Sequence, residues 1–162
     1  MRRLIICLAS VGYSGYFPVA PGTAGTLAGV GIFLLLHPLP AALYLLFTAV
    51  LFLLACWIAG RAEVLLGQKD SPKIVIDEVV GLLVTLALLP RRPAAILGGF
   101  LFFRVFDIIK PPPAGIINRR MKGGLAVVLD DAVAGIYANL LLQAISLWRP
   151  HLLQIVDRWF FP

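Results

Sequence analysis

Ala41-Ala42-Leu43-Tyr44-Leu45-Leu46-Phe47-Thr48-Ala49-Val50-Leu51-Phe52-Leu53-Leu54-Ala55-Cys56-Trp57-Ile58-Ala59-Gly60 runs twenty residues without a charge. That is about the length a helix needs to cross the hydrocarbon core of a bilayer. The rest of the chain agrees with a membrane setting. Of its 162 residues, 60% are hydrophobic and 14% charged, and the mean hydropathy is +0.96, outside the balance of a soluble domain. Further apolar segments are read at 23–36, closed by His37-Pro38-Leu39-Pro40, at 74–89, ended by Pro90, at 93–109 after an Arg91-Arg92 turn, and at 129–148 before Pro150. Several are short for a span, so tilted or partly submerged helices are allowed. The expected fold is all-α: a single membrane-embedded domain over 1–162, with four to five transmembrane or membrane-embedded helices. A C-terminal helix at 151–161 is expected at the interface, because Trp159, Phe160 and Phe161 adjoin Arg158.

The N-terminus begins Met1-Arg2-Arg3 and turns apolar, as a signal peptide does. The apolar run soon meets Gly12, Gly15, Pro18, Pro21 and Gly22 with no convincing cleavage site, so it is read as mature protein. Cys7 and Cys56 are far apart, with no CxxC and no ligand-spaced histidines, and are expected to be buried free thiols. The net charge of +6 comes from basic residues dispersed among apolar segments. This favours anionic lipid over nucleic acid as the partner. With five crossings and the N-terminus inside, the inner segments hold Arg2, Arg3, Arg61, Lys69, Lys73, Arg104, Lys110, Arg119, Arg120 and Lys122. The outer ones hold Arg91, Arg92, Arg149 and Arg158. The positive-inside rule then sets a cytoplasmic N-terminus.

The same topology places three acidic clusters, Asp77-Glu78, Asp107 and Asp130-Asp131, on the cytoplasmic side with the glycine- and proline-rich loop before residue 23. Carboxylates at a membrane boundary are costly to desolvate and persist mainly where they face protein, water or a cation. In Ser14-Gly15-Tyr16-Phe17-Pro18-Val19-Ala20-Pro21-Gly22-Thr23-Ala24-Gly25-Thr26, Thr23 is placed to cap the next helix, and the N–H groups of such a start attract phosphate. A re-entrant loop with an ordinary cap reads equally well. Ser71 and Pro72 read as cap and first residue of a helix that carries Asp77 and Glu78 two turns in.

Arg104, Asp107 and Lys110 follow at i, i+3 spacing and end at Pro111-Pro112-Pro113. They form either a structural ion-pair ladder or a site where two cations bind phosphate oxygens and Asp107 holds a metal. Asp130 and Asp131 sit at a helix start, about 100° apart, so both can reach one cavity. Ala132, Ala134 and Gly135 let a neighbouring helix approach, and Asn139 is expected to bond between helices.

Four motifs carry a resemblance over almost the whole chain: Ser14 to Thr26; Ile74-Val75-Ile76-Asp77-Glu78-Val79-Val80-Gly81; Phe103-Arg104-Val105-Phe106-Asp107-Ile108-Ile109-Lys110-Pro111; and Gly123-Gly124 through Leu129-Asp130-Asp131-Ala132-Val133-Ala134-Gly135. In this order they resemble the phosphatidylglycerophosphatase A family. The resemblance implies an all-helical, magnesium-dependent enzyme of the bacterial inner membrane. Such an enzyme removes the terminal phosphate of phosphatidylglycerophosphate to give phosphatidylglycerol. The chain departs from the family pattern at Pro112, at Ala126-Val127-Val128 and at Ala24, none of which removes a charged group.

Elimination points the same way. Neither cysteine is followed five residues later by arginine, His37 and His151 fall on the outer side, and there is no Asp-x-Asp-x-Thr. What remains is carboxylate chemistry around a hard cation. Asp77, Glu78, Asp107, Asp130 and Asp131 are the expected holders of one or two Mg²⁺ ions, with one of them open to act as base. Gly22, Thr23, Arg104 and Lys110 are the expected phosphate-binding groups, with Lys122 and Arg120 toward the second phosphate of the head group. The competing readings are a small cation or proton transporter, which would distribute acids through the membrane depth, and an assembly subunit whose charges only pair helices.

Overall fold

The structure is a computed structural model and describes residues 1–90 and 92–148. Arg91 and the proposed interfacial helix at 151–161 lie outside the described residues. Among the described residues seven α-helices follow in order: α1 Arg2–Ala9, α2 Pro21–Leu36, α3 Ala41–Leu66, α4 Ile76–Leu86, α5 Pro93–Ile109, α6 Ala114–Arg120 and α7 Gly124–Trp148. A short 3-10 turn, Ser14–Tyr16, joins α1 to α2. Among the described residues there is no strand.

Among the described residues, α3 and α7 are the helices long and apolar enough to cross a membrane. On α3 the bulky side chains of Leu46, Leu53, Leu54 and Trp57 are exposed, while Ala55, Ala59 and Ala62 are buried. Large apolar groups outside and small ones inside suit a helix whose outer neighbour is lipid and whose inner neighbours are close-packed helices. The 11-residue α4 has the opposite character. About 16 Å long at 1.5 Å per residue, it is too short to cross a bilayer, and every residue but Glu78 and Val84 is buried. It is the central rod of the bundle, not a span.

Glycines set the crossings. A side chain on Gly124 of α7 would collide with the Cys56 carbonyl and the Gly60 amide of α3. One on Gly135 would strike the Gly81 carbonyl of α4, and one on Gly29 of α2 would press on Val79 and Leu82. Two apolar groups fill the remaining space. One gathers Ala55, Ile58, Ala59, Ile76, Val80 and Val128, and the other Phe33, Tyr44, Leu82, Leu83, Leu86 and Phe103. Tyr44 Oη donates to the Leu83 carbonyl at 2.6 Å, and Asn139 Nδ2 donates across to the Thr85 and Ala87 carbonyls at 2.8 Å each. Cys7 and Cys56 are free, as expected, but half-buried rather than buried.

Several helix boundaries differ from the sequence reading. α3 continues past Gly60 to Leu66, carrying Arg61 and Glu63 on a further turn and a half. α4 starts at Ile76, not at Pro72. The β-branched Ile74 and Val75 are buried, and the Val75 amide is tied to the Ala9 carbonyl at 2.9 Å, so the preceding segment stays non-helical. Asp77 and Glu78 therefore occupy the first turn. α7 starts at Gly124, after Gly123 in a left-handed conformation (φ 79°), so Asp130 and Asp131 lie in its second turn. α2 begins at Pro21 behind Ala20, which makes Thr23 its third residue and not its cap. The short α6 was not foreseen.

Candidate active site

The direction of each helix brings the polar motifs to one end of the bundle. Gly22 at the start of α2 lies against the Glu78 carboxylate in the first turn of α4, and Arg104 near the end of α5 approaches both. The Gly60–Gly124 contact joins the end of α3 to the start of α7. The N-termini of α2, α4 and α7 thus share this end, where their partial positive charge offsets clustered carboxylates. Every acidic side chain among the described residues is here.

Asp77, Glu78 and Asp131 each offer a carboxylate oxygen within 4.8 Å of the others. Asp77 is 6% exposed and Asp131 3% exposed. Three carboxylates this close in a desolvated place repel one another unless protons or a cation intervene. Glu78 Oε2 is buried with no hydrogen-bond partner, and so is Asp130 Oδ1. Orphaned acceptors and an all-oxygen donor set fit a hard divalent ion. The group can hold a metal.

Around it runs a chain of ion pairs. Arg104 Nη1 lies 3.8 Å from Glu78 Oε1 and donates to Asp107 Oδ2 at 2.7 Å. Lys110 Nζ lies 3.6 Å from Asp107 and 3.8 Å from Asp131, and donates to Asp130 Oδ2. Lys110 closes α5 in a left-handed conformation (φ 47°), which turns it from the helix toward α7. Burial draws its ammonium down, but Asp131, Asp130 and Asp107 together outweigh this and hold it above the ordinary lysine range. It is a fixed positive charge.

The expected site residues therefore separate by position. Asp77, Glu78 and Asp131 form the close group, Asp107 sits between Arg104 and Lys110 as the rung of the ladder, and Asp130 lies on the far side of Lys110. Gly22 touches the site directly: a Cβ there would run into Glu78 Oε1 and the Arg104 guanidinium, and one on Gly25 would press on Glu78 Oε2 and Val75. Thr23 is half-buried beside them. Lys122 is exposed and lines a separate cavity of about 400 Å³ with Glu63, Gln68 and Lys69; Arg120 is exposed at the end of α6.

Sequence reasoning missed Asn118 on α6. Its Nδ2 donates to Asp130 Oδ2 and to Asp70 Oδ2, both at 2.9 Å, and Lys69 Nζ donates to its carbonyl at 2.9 Å. A lone amide carries no pattern, and the only available signal was its closeness to a basic, proline-bounded segment.

Comparison with known proteins decides the family. The family described as Phosphatidylglycerophosphatase A matches residues 7–146, spanning all four motifs. This chain belongs to it. A Haemophilus influenzae protein named phosphatidylglycerophosphatase A is 40% identical over 147 residues, covering 88% of this chain and 90% of its own length. One of that name from Escherichia coli is 34% identical over 141 residues, covering 86% and 82%. A Bacteroides thetaiotaomicron protein named putative phosphatidylinositol-3-phosphatase is 38% identical over 144 residues, covering 83% and 88%. No solved structure matches. Phosphatidylglycerophosphatase A proteins are phosphatases, and so is this member.

Proposed function

We propose that this protein hydrolyses the terminal phosphomonoester of phosphatidylglycerophosphate, giving phosphatidylglycerol and phosphate, with Mg²⁺ as its cofactor. The observation that carries the reading is one of placement. A buried, metal-competent carboxylate group shares one end of an apolar bundle with two fixed cations, Arg104 and Lys110. A soluble phosphatase would not need its site among helices with exposed leucines, and a transporter would not gather every described acid at one end. Two of the relatives are named for this lipid, which favours it over the inositol lipid in the third relative's name.

Asp77, Glu78 and Asp131 would hold the ion, which supplies Lewis-acid charge against the phosphate oxygens. Arg104 and Lys110 bind the remaining oxygens and stabilise the charge that develops as the leaving alkoxide departs. Asp107 keeps both cations aimed inward. Gly22 and Thr23 let the phosphate approach the first turn of α2, where free amides face it. Asp130 lies within the same polar network, and Lys122 awaits the second phosphate of the head group. A carboxylate of the set accepts the proton of the attacking water. The acyl chains stay in the bilayer, and the site faces the cytoplasm, where the basic rim gathers anionic lipid.

The decisive assay is phosphate release from phosphatidylglycerophosphate in mixed micelles, with and without Mg²⁺, and beside phosphatidylinositol 3-phosphate. Release that needs Mg²⁺ and prefers the glycerol lipid is expected. No release under any metal condition would refute the phosphatase reading.

A further inference from the structure

The mechanism above leaves the N-terminal segment unused, and that segment carries cations without acids. Every ion pair among the described residues involves Arg104 or Lys110. Arg2 makes one long bond, from its guanidinium to the Leu65 carbonyl at 3.5 Å, and Arg3 has no carboxylate partner among the described residues. Both occupy the first turn of α1, where the field of the helix disfavours cations, so neither charge steadies its own helix. Eight residues make α1 about 12 Å long, too short to span, and Leu4 and Leu8, one turn apart on it, are exposed.

Arg2 and Arg3 line a cavity of about 430 Å³ with Tyr13 and Tyr16, from the turn after α1, and Leu65 and Leu66, from the end of α3. Its lining joins guanidinium, phenol and aliphatic groups from three segments and holds no carboxylate. The turn is firmly built. Ser10 is buried; its Oγ donates to the Ile6 carbonyl at 2.7 Å and accepts from the Tyr13 amide at 3.1 Å, and its carbonyl accepts from the Gly15 amide at 3.1 Å. Tyr16 packs edge-on against Tyr13 with ring centres 5.7 Å apart, and the Lys73 ammonium lies 5.0 Å over its ring. Tyr13 holds a left-handed backbone (φ 69°), which glycine adopts freely and tyrosine only at a cost. A position that the backbone would give to glycine carries a phenol that lines the arginine cavity.

Depth in the membrane fits a lipid head group. Arg61 lies 5.9 Å over the Trp57 ring, a pair that marks the interface on α3. Leu65 is one turn further, about 6 Å along the axis, which puts the cavity in the head-group layer that flanks the hydrocarbon core. Guanidinium groups bind phosphate oxygens bidentately, and tyrosine hydroxyls can donate to the oxygens that remain. The leucines suit the first methylenes of a chain. Free phosphate would leave them unused, and a metal ion would find no carboxylate here.

We propose that this cavity binds the phosphodiester head group of an anionic phospholipid, as a defined site apart from the carboxylate group. It depends on the membrane setting of α3 and not on the phosphatase reading. The test counts lipids on the full-length protein, stripped of metal and held in detergent, by native mass spectrometry. The probe is palmitoyl-oleoyl phosphatidylglycerol, with phosphatidylcholine of the same chains as the control. Any lipid held elsewhere is common to wild type and variants, so the difference between them is the readout. Arg2→Gln combined with Arg3→Gln should retain one phosphatidylglycerol fewer per chain at the same lipid concentration, through a loss of about 10- to 100-fold in affinity at that step. Tyr13→Gly should weaken the same step about tenfold, yet melt no lower than the wild type, since glycine suits the backbone there.

Equal retention of the two lipids by the wild type overturns the proposal, and so does wild-type retention by the arginine variant. Displacement of the lipid by excess inorganic phosphate would make this a site for free anions and overturns it as well. Lipid retention is read without reference to phosphate release, which reports on the phosphatase reading alone.

Discussion

Asp131 shows most directly how position makes chemistry. It is buried, within ligand distance of Asp77 and Glu78, and 3.8 Å from Lys110, so its charge is tolerable only with help. Asp131→Asn should lower phosphate release at least about 100-fold, as loss of a group that steadies the transition state does. The same change should raise the melting temperature of the metal-free protein, because it removes a like charge from a desolvated cluster. It should also abolish the stabilisation that Mg²⁺ gives the wild type, about 2.7 kcal/mol at a hundredfold excess over Kd. Thermal scans with and without Mg²⁺ check both signs. Gly22→Ala tests the other wall. Its methyl would displace the Glu78 carboxylate and Arg104, and activity should fall about tenfold or more while the protein remains folded, as circular dichroism would show.

The individual carboxylates were legible in the sequence because acids are scarce in so apolar a chain. Their division was not. Asp77 and Asp131 are 54 positions apart, and nothing in the spacing says that they meet while Asp107 is drawn off between Arg104 and Lys110. Asp70 and Asn118 were overlooked because each stands alone in an ordinary polar loop or short helix, and their meaning arises only from contact.

At the level of elements, α4 and α7 matter most, since their parallel packing puts Asp77 and Glu78 beside Asp131. The crossing depends on Gly135 meeting the Gly81 backbone carbonyl, which cannot rotate away as a side chain would. Gly135→Ala should cost about 3 kcal/mol, the upper part of the range for overpacking, read as a lower denaturation midpoint in detergent. Tyr44→Phe, which only removes the bond to the Leu83 carbonyl, should cost about 1 kcal/mol. Helix ends were the hardest elements to read. Proline marked the start of α5 correctly, because a ring that fixes φ suits a first helical position, and Pro21 opens α2 for the same reason although the sequence reading makes Thr23 its cap. At Pro72 the same signal misled, since the tie between Val75 and Ala9 outweighed local propensity.

For the whole molecule, hydropathy gave the all-helical class and located the apolar helices α2, α3, α4, α5 and α7. It did not separate the two that can cross from the one that is enclosed, because a helix surrounded by protein is as apolar as one surrounded by lipid. The proposed orientation has a direct check. On a background with Cys7 and Cys56 replaced by serine, Lys73→Cys and Arg120→Cys should react with an impermeant maleimide only after cells are opened. Pro38→Cys, in the turn between α2 and α3 at the far end of the spanning α3, should react in intact cells. The opposite pattern would reverse the topology and remove the cytoplasmic site.

The enclosure of α4 has a mechanical consequence. Bilayers differ in thickness with acyl length and temperature, and spanning helices answer by tilting, at a fraction of a kcal/mol per ångström of mismatch. In this bundle α3 meets that demand on its exposed outer face, and α7 is the other helix long enough to span, whereas α4 is wrapped by protein on nearly every side. Asp77 and Glu78 therefore ride on a part that the surrounding lipid does not grip. Turnover in vesicles of short- and long-chain lipid should differ by less than about threefold, so that the phosphatase keeps working while the membrane itself changes.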